Sequence, residues 1–297
     1  MIYKNVIEMI GKTPMVRINK LNPNKDASIV AKIEGTNPGG SIKDRIALKM
    51  IKTAIKEGSL TKDKTIIEPT SGNTGIAIAM IGSVLGFNVE IVMSEAVSIE
   101  RRRTIKAFGA SIVLTESKQG TDGAIFKARE LVKQNPDKYF MLDQFSNNNN
   151  IKAHYETTAE EIWKDTDGKI DYLVSSVGTS GTIMGISKKL KEHNPNIKIV
   201  CAYPKSGHKI QGLKNMNDAI VPKIYDKSEI DEFITVEDAD AFETARQLAK
   251  KEGIFVGMSS GAALWTAAEV AKKIKKGNIV VIFPDRGEKY LSTELFN

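Results

Sequence analysis

Short runs of β-branched and aliphatic residues alternate along this chain with longer stretches in which apolar residues recur every three or four positions. The short runs are Thr65-Ile66-Ile67, Val89-Glu90-Ile91-Val92-Met93, Ile112-Val113-Leu114, Tyr139-Phe140-Met141-Leu142, Tyr172-Leu173-Val174, Ile197-Lys198-Ile199-Val200-Cys201-Ala202 and Ile279-Val280-Val281-Ile282-Phe283. Helical periodicity covers residues 76–85, 124–132, 182–190, 239–250 and 262–274. This alternation predicts an α/β protein of mostly parallel sheets, because each parallel connection needs a crossover that lays a helix on the sheet. At 297 residues the chain calls for two sheets rather than one, and the polar run Asn147-Asn148-Asn149-Asn150 marks the best junction between them.

Composition adds little to the fold but narrows the function. A hydrophobic content of 41% supplies a substantial core, and 43 Lys and Arg against 36 Asp and Glu give a formal charge of +7. The basic residues are scattered, and the densest groups, at 188–191 and 272–276, fall near predicted helix ends, where cations complement the dipole. Nucleic acid is therefore not an expected partner, whereas a small anionic substrate suits the excess. The single cysteine, Cys201, ends a strand run and reads as a buried thiol rather than a nucleophile. Met1-Ile2-Tyr3-Lys4 opens neither a signal nor a transit peptide and no apolar stretch approaches spanning length, so a cytoplasmic protein without membrane contacts is expected. His154, His193 and His208 are far apart and fit no metal-ligand spacing, so no metal site is expected.

In α/β proteins ligands bind beyond the carboxyl ends of strands. Three strand-to-helix segments there carry polar chemistry. Glu68-Pro69-Thr70-Ser71-Gly72-Asn73-Thr74-Gly75 offers hydroxyls, an amide and free backbone N–H groups, a cup for a carboxylate or simply a capped helix start. Gly178-Thr179-Ser180-Gly181-Thr182 suits a phosphate or, again, a capped turn. It is neither a P-loop nor a dinucleotide fingerprint, which argues against ATP and NAD. Gly257-Met258-Ser259-Ser260-Gly261 presents a serine at a helix start. Upstream, the glycine-rich run Asn37-Pro38-Gly39-Gly40-Ser41-Ile42-Lys43-Asp44-Arg45 delivers the Lys43 amine to another helix start, where a solvated lysine would be the ordinary reading. An amine, a phosphate cup, a carboxylate cup and a strand-end serine together match the needs of pyridoxal phosphate, which no competing cofactor does.

The chain resembles the cysteine synthase family, the O-acetylserine sulfhydrylase and cystathionine β-synthase branch of fold type II pyridoxal-phosphate enzymes. The likeness rests on Ile10-Gly11-Lys12-Thr13-Pro14, residues 37–45 and 69–75, Glu100-Arg101-Arg102, Gln144-Phe145, residues 178–182, 208–212 and 257–261, and Phe283-Pro284-Asp285-Arg286-Gly287-Glu288-Lys289-Tyr290-Leu291-Ser292. It implies a tryptophan synthase β-like fold of two domains, each a mostly parallel twisted sheet flanked by helices. Residues 37–145 would form the smaller, mobile substrate-binding domain, and 1–36 with 146–297 the larger one holding the cofactor phosphate.

The resemblance also implies roles. Lys43 would carry the cofactor as a Schiff base and then remove the substrate α-proton. Gly178, Thr179, Ser180, Gly181 and Thr182 would hold the phosphate, Asn73 would bond the ring hydroxyl, and Ser259 would meet the pyridine nitrogen. Thr70, Ser71, Thr74 and Gln144 would clasp the substrate carboxylate. Because a neutral serine does not enforce a protonated pyridine, a long-lived carbanion is disfavoured and loss of a β-substituent is the natural exit. The implied reaction is β-replacement through α-aminoacrylate, making cysteine from O-acetylserine and sulfide.

Departures from the family pattern bear on the substrate. The loop 202–212 is short, Gly212-Leu213-Lys214-Asn215-Met216-Asn217-Asp218 replaces a glycine-rich wall, and Ala159-Glu160 stands where Gly-Pro is common. The 213–218 segment is more similar to B-type synthases, some of which use O-phosphoserine or protein thiocarboxylates, and there Lys214 could meet a phosphate or remain a solvated loop lysine. Asp218 could orient a nucleophile such as water, although a plain turn aspartate is the ordinary reading. Cystathionine β-synthase or a cysteine lyase releasing hydrogen sulfide are further alternatives, as is a pseudo-enzyme that binds a peptide tail. The resemblance implies a homodimer, with a serine acetyltransferase tail or a sulfur-carrier protein as conceivable partners.

Overall fold

The alternation resolves into two sheets in the computed structural model, which describes residues 2–70 and 72–297. The strands are β1 (Met15–Ile18), β2 (Ala27–Ile33), β3 (Thr65–Pro69), β4 (Val89–Ser94), β5 (Ser111–Thr115), β6 (Tyr139–Met141), β7 (Tyr172–Ser176), β8 (Lys198–Pro204), β9 (Glu232–Val236) and β10 (Gly277–Phe283). The α-helices are α1 (Lys43–Lys56), α2 (Asn73–Leu85), α3 (Ile99–Ala107), α4 (Gly120–Gln134), α5 (Asn148–Ala153), α6 (Ala159–Asp165), α7 (Gly181–His193), α8 (Asp238–Gln247) and α9 (Met258–Lys273). Among the described residues, one sheet has six strands in the order β1-β2-β10-β7-β8-β9 and the other four in the order β5-β4-β3-β6. Every pairing between these strands is parallel except β1 with β2.

Neighbouring residues on the central strands feed opposite cores, which is why these runs are apolar throughout rather than alternating with polar positions. Leu173, Ile199, Val280 and Ile282 pack with Ile183, Ile186 and Leu190 of α7. Val174, Val200, Ile279 and Val281 pack on the other face with Leu264, Ala267 and Val270 of α9. The smaller sheet repeats the scheme, with Ile66, Ile91 and Met93 against α1 and α2, and Ile67 and Val92 against Ala124 and Ala128 of α4. In α1 the buried positions Ile46, Ala47, Met50, Ile51 and Ala54 form one stripe, while Lys52 and Lys56 face outward. Burial of each large side chain on that stripe contributes about 1.5–3 kcal/mol. Among the described residues no helix is long and apolar enough to cross a membrane.

A buried charge network fixes the first turn of α1, and with it the backbone next to Lys43. Arg45 donates from Nε to Glu34 Oε2 at 2.7 Å and from both Nη atoms to Glu161 at 2.7 Å. Lys32, fully buried on β2, meets Glu161 at 3.0 Å and donates to the Thr13 carbonyl at 2.6 Å. Burial alone would lift the Glu161 carboxyl, but the Arg45 hydrogen bonds and charge hold it down to about 2. The asparagine run likewise is ordered structure. The Asn147 side chain accepts from Asn149 N–H and caps α5, and Asn150 is wholly buried.

Candidate active site

Parallel strands within one sheet deliver their carboxyl ends to one side, and the two sheets aim these ends at a common cleft. Loops after β7, β8 and β10 form one wall, and loops after β3 and β6 form the other. The space enclosed, open mouth included, is about 900 Å³. Lys43, Thr70, Asn73, Thr74, Gln144, Gly178, Thr179, Ser180, Thr182, Lys214 and Ser259 all line it, although they come from segments spread over most of the chain. Gly181 begins α7 behind the wall, and Ser71 lies outside the described residues.

Lys43 opens α1 at the cleft floor, and among the described residues its Nζ makes no hydrogen bond or ion pair. Burial drops its ammonium from 10.5 to about 8, against the opposing attraction of Asp285 and Glu34. At pH 7 roughly a tenth of such an amine is neutral, compared with well under a thousandth for an ordinary lysine, and the neutral amine is the form that attacks a carbonyl.

The loop after β7 fits a phosphate on its own geometry. Ser180 Oγ is buried without a hydrogen-bond partner, and the residue sits at φ 71°, a left-handed conformation that costs a non-glycine residue roughly 1–2 kcal/mol. A Cβ on Gly178 would lie 2.3 Å from the Gly212 carbonyl oxygen, and one on Gly181 would lie 1.9 Å from Asn150 Oδ1, so the backbone runs where only glycine fits. Asn150 Nδ2 donates to Thr179 Oγ1 at 3.1 Å, and Thr182 Oγ1 lies 3.2 Å from His154 Nε2. Desolvation, then the charges of Arg45 and Lys43, push His154 well below its usual range, so a neutral imidazole supports the loop. An orphaned hydroxyl at a helix N-terminus, within a glycine cradle, is a geometry that suits an anion. Ser259, 5% exposed, enters the same cleft from the first turn of α9 as a neutral hydroxyl.

The opposite wall is held by residues to which the sequence analysis assigned no role. Asn73 donates from Nδ2 to Asp285 Oδ2 at 2.6 Å and accepts from Lys289 Nζ at 3.1 Å, so its amide is oriented from both sides. Tyr290 OH also donates to Asp285 Oδ2, at 2.7 Å, and the Arg101 guanidinium lies over the Tyr290 ring. Arg101 donates to Gln211 Oε1 at 2.8 Å across the cleft wall. Thr74 Oγ1 donates to Gln144 Oε1 at 2.7 Å, and Gln144 Nε2 donates to the Pro69 carbonyl at 3.1 Å, bringing the expected carboxylate-binding groups together. Beneath them Glu68 accepts from the Asp143 and Gln144 N–H groups at 2.9 Å, while burial lifts its carboxyl to about 8. Asp285, Lys289 and Tyr290 sit in a recognisable closing motif, yet nothing local ties them to Asn73, 212 residues away from Asp285.

Lys214 reaches the cleft but is not solvated. Its side chain is 9% exposed, its Nζ meets Asp122 Oδ1 at 3.2 Å, and it lies over the Phe145 ring.

The family model described as "Pyridoxal-phosphate dependent enzyme" matches residues 6–285. A cysteine synthase of Aquifex aeolicus is 50% identical, over 99% of this chain and 92% of the relative. The crystal structure of cysteine synthase from Entamoeba histolytica superposes with a TM-score of 0.94 at 43% identity, covering 100% of this chain and 91% of that one. That of a hydrogen sulfide-producing enzyme from Fusobacterium nucleatum gives 0.94 at 46% identity, covering 98% and 100%. The chain thus belongs to the pyridoxal-phosphate-dependent enzymes of fold type II, and within them to the cysteine synthase family. It is an enzyme, its cofactor is pyridoxal phosphate, and it acts on small molecules.

Proposed function

We propose that the protein makes cysteine by β-replacement, taking O-acetylserine as donor and sulfide as nucleophile. The observation that carries this reading is the meeting, in one cleft, of an unpartnered, desolvated Lys43 amine with the orphaned Ser180 hydroxyl and its glycine cradle. Bound pyridoxal phosphate supplies an aldehyde and an electron-withdrawing ring that acidifies the α-carbon of an amino acid. Gly178, Thr179, Ser180, Gly181 and Thr182 would hold the phosphate, Ser259 the ring nitrogen and Asn73 the ring hydroxyl. Thr70, Thr74 and Gln144 would clasp the substrate carboxylate. Lys43 Nζ would take the α-proton, its lowered basicity keeping it ready to accept one near neutral pH. The outer wall would favour a donor whose β-substituent is uncharged, because the Lys214 charge is already answered by Asp122.

This reading includes a smaller substrate-binding domain over residues 37–145 that closes on the larger one, a homodimer, and a cytoplasmic setting. A serine acetyltransferase tail or a sulfur-carrier protein would be its protein partners. A second reading, with cysteine as donor and hydrogen sulfide released, draws support from the likeness to the hydrogen sulfide-producing enzyme. One experiment separates them: the holoenzyme is mixed in turn with O-acetylserine, O-phosphoserine, serine and cysteine, and products are measured with and without sulfide. Cysteine formed fastest from O-acetylserine supports the first reading. Sulfide release from cysteine as the dominant activity rejects it.

A further inference from the structure

The mouth of the cleft carries a bridge between the two sheets that the reaction itself does not require. Asp122, in the first turn of α4 on the smaller sheet, reaches across to the segment after β8 on the larger one. Its Oδ1 meets Lys214 Nζ at 3.2 Å and its Oδ2 accepts from the Ile220 N–H at 3.2 Å. Lys214 is fixed from its other end as well, since its backbone N–H donates to the Val177 carbonyl at 2.9 Å, immediately before the glycine cradle. Lys214 therefore belongs both to the cleft and to the outer basin that contains Asp122. The Lys214 side chain is 9% exposed and that of Asp122 31% exposed, and their pairing makes this part of the cleft wall locally neutral.

We propose that Asp122 is a specificity-determining residue: by occupying Lys214 it selects donors whose bound β-substituent is uncharged and rejects those whose substituent is a phosphate dianion. A dianion entering here would have to displace a carboxylate from Lys214 and then lie beside it. Like charges at contact distance in a partly desolvated site oppose binding. An ester acetyl group meets neither obstacle. This rests on the reading of the site as a β-replacement centre for O-substituted serines, and it identifies which donors that centre accepts.

The test compares wild type, Asp122→Asn, Asp122→Glu and the double variant Asp122→Asn/Lys214→Ala as holoenzymes. Two quantities are measured. One is the ratio of kcat/KM for O-phosphoserine to that for O-acetylserine. The other is the Kd, by calorimetry, of L-2-amino-4-phosphonobutyrate, whose carbon–phosphorus chain cannot be eliminated. Freeing Lys214 by Asp122→Asn should raise the ratio and tighten the phosphonate by about fivefold, the scale of one partly exposed charge contact, with the gain shrinking at high salt. Asp122→Glu should keep the wild-type preference, and the double variant should lose the gain. A purely structural bridge would weaken both donors together and leave the ratio unmoved, which would overturn the proposal, as would a phosphonate Kd that is unchanged or weaker in Asp122→Asn. If wild type turns over neither donor, the cysteine synthase reading fails instead, and the phosphonate titration still decides the role of Asp122.

Discussion

Replacing Lys43 by methionine removes the charge while keeping most of the stem, and it tests how the cleft treats its amine. In the cofactor-free protein burial lowers this ammonium from 10.5 to about 8. That gap of roughly 2.5 pH units, at about 1.36 kcal/mol each, sets an upper bound of about 3.4 kcal/mol on the cost of folding with the amine protonated. Lys43 keeps partial exposure through the cleft mouth, so solvent screening brings the expected cost to about 1–3 kcal/mol. The sign follows from proton uptake. Between about pH 8 and 10.5 the unfolded chain holds a proton that the folded chain does not, so wild-type stability gains with rising pH across that window. Below pH 8 the full penalty is present. Urea unfolding of the cofactor-stripped proteins, followed by circular dichroism from pH 7 to 10, should find Lys43→Met more stable by about 1–3 kcal/mol at pH 7. The difference should shrink toward pH 10. A variant less stable than wild type at pH 7, or a difference constant across the range, would refute the argument.

Two further outcomes are expected. Gly178→Ala places a Cβ 2.3 Å from the Gly212 carbonyl, so one of two backbone segments must move at a cost of about 1–3 kcal/mol; fluorescence titration should give a pyridoxal phosphate Kd about ten- to a hundredfold weaker, and wild-type affinity would show that the cradle does not hold the phosphate. Glu161, held down to about 2, stabilises the fold above about pH 4.5 and loses that contribution as pH falls toward 2. Glu161→Gln should flatten this acid limb of the unfolding free energy, measured by urea titration, by about 1–2 kcal/mol, solvent screening included.

The sequence exposed what is local and concealed what is assembled. The β7 and β10 runs and the α7 and α9 periodicities were legible because both faces of a central parallel strand are apolar and each helix presents one stripe. β2 escaped because Lys32 sits in its core half, and only the fold brings Glu161 and the Thr13 carbonyl to that ammonium. β1 and β9, at the edges of the six-stranded sheet, are short and half-exposed, so they carry no strong pattern. The same division holds in the site. Lys43, the loop at 178–182 and Ser259 stand out because glycines and hydroxyls cluster at strand ends. Asp285, His154 and Asp122 act through partners 212, 28 and 92 residues away, and no local pattern announces such pairs.

The central claim is that Lys43 is the amine that carries the cofactor. The most direct measurement is borohydride reduction of the holoenzyme, proteolysis and mass spectrometry of the lysine-containing peptides. The account predicts a phosphopyridoxyl group on the peptide containing Lys43 and its disappearance in Lys43→Ala. Label on Lys214 or Lys289, whose amines lie at or beside the same cleft, or no label at all, would contradict it.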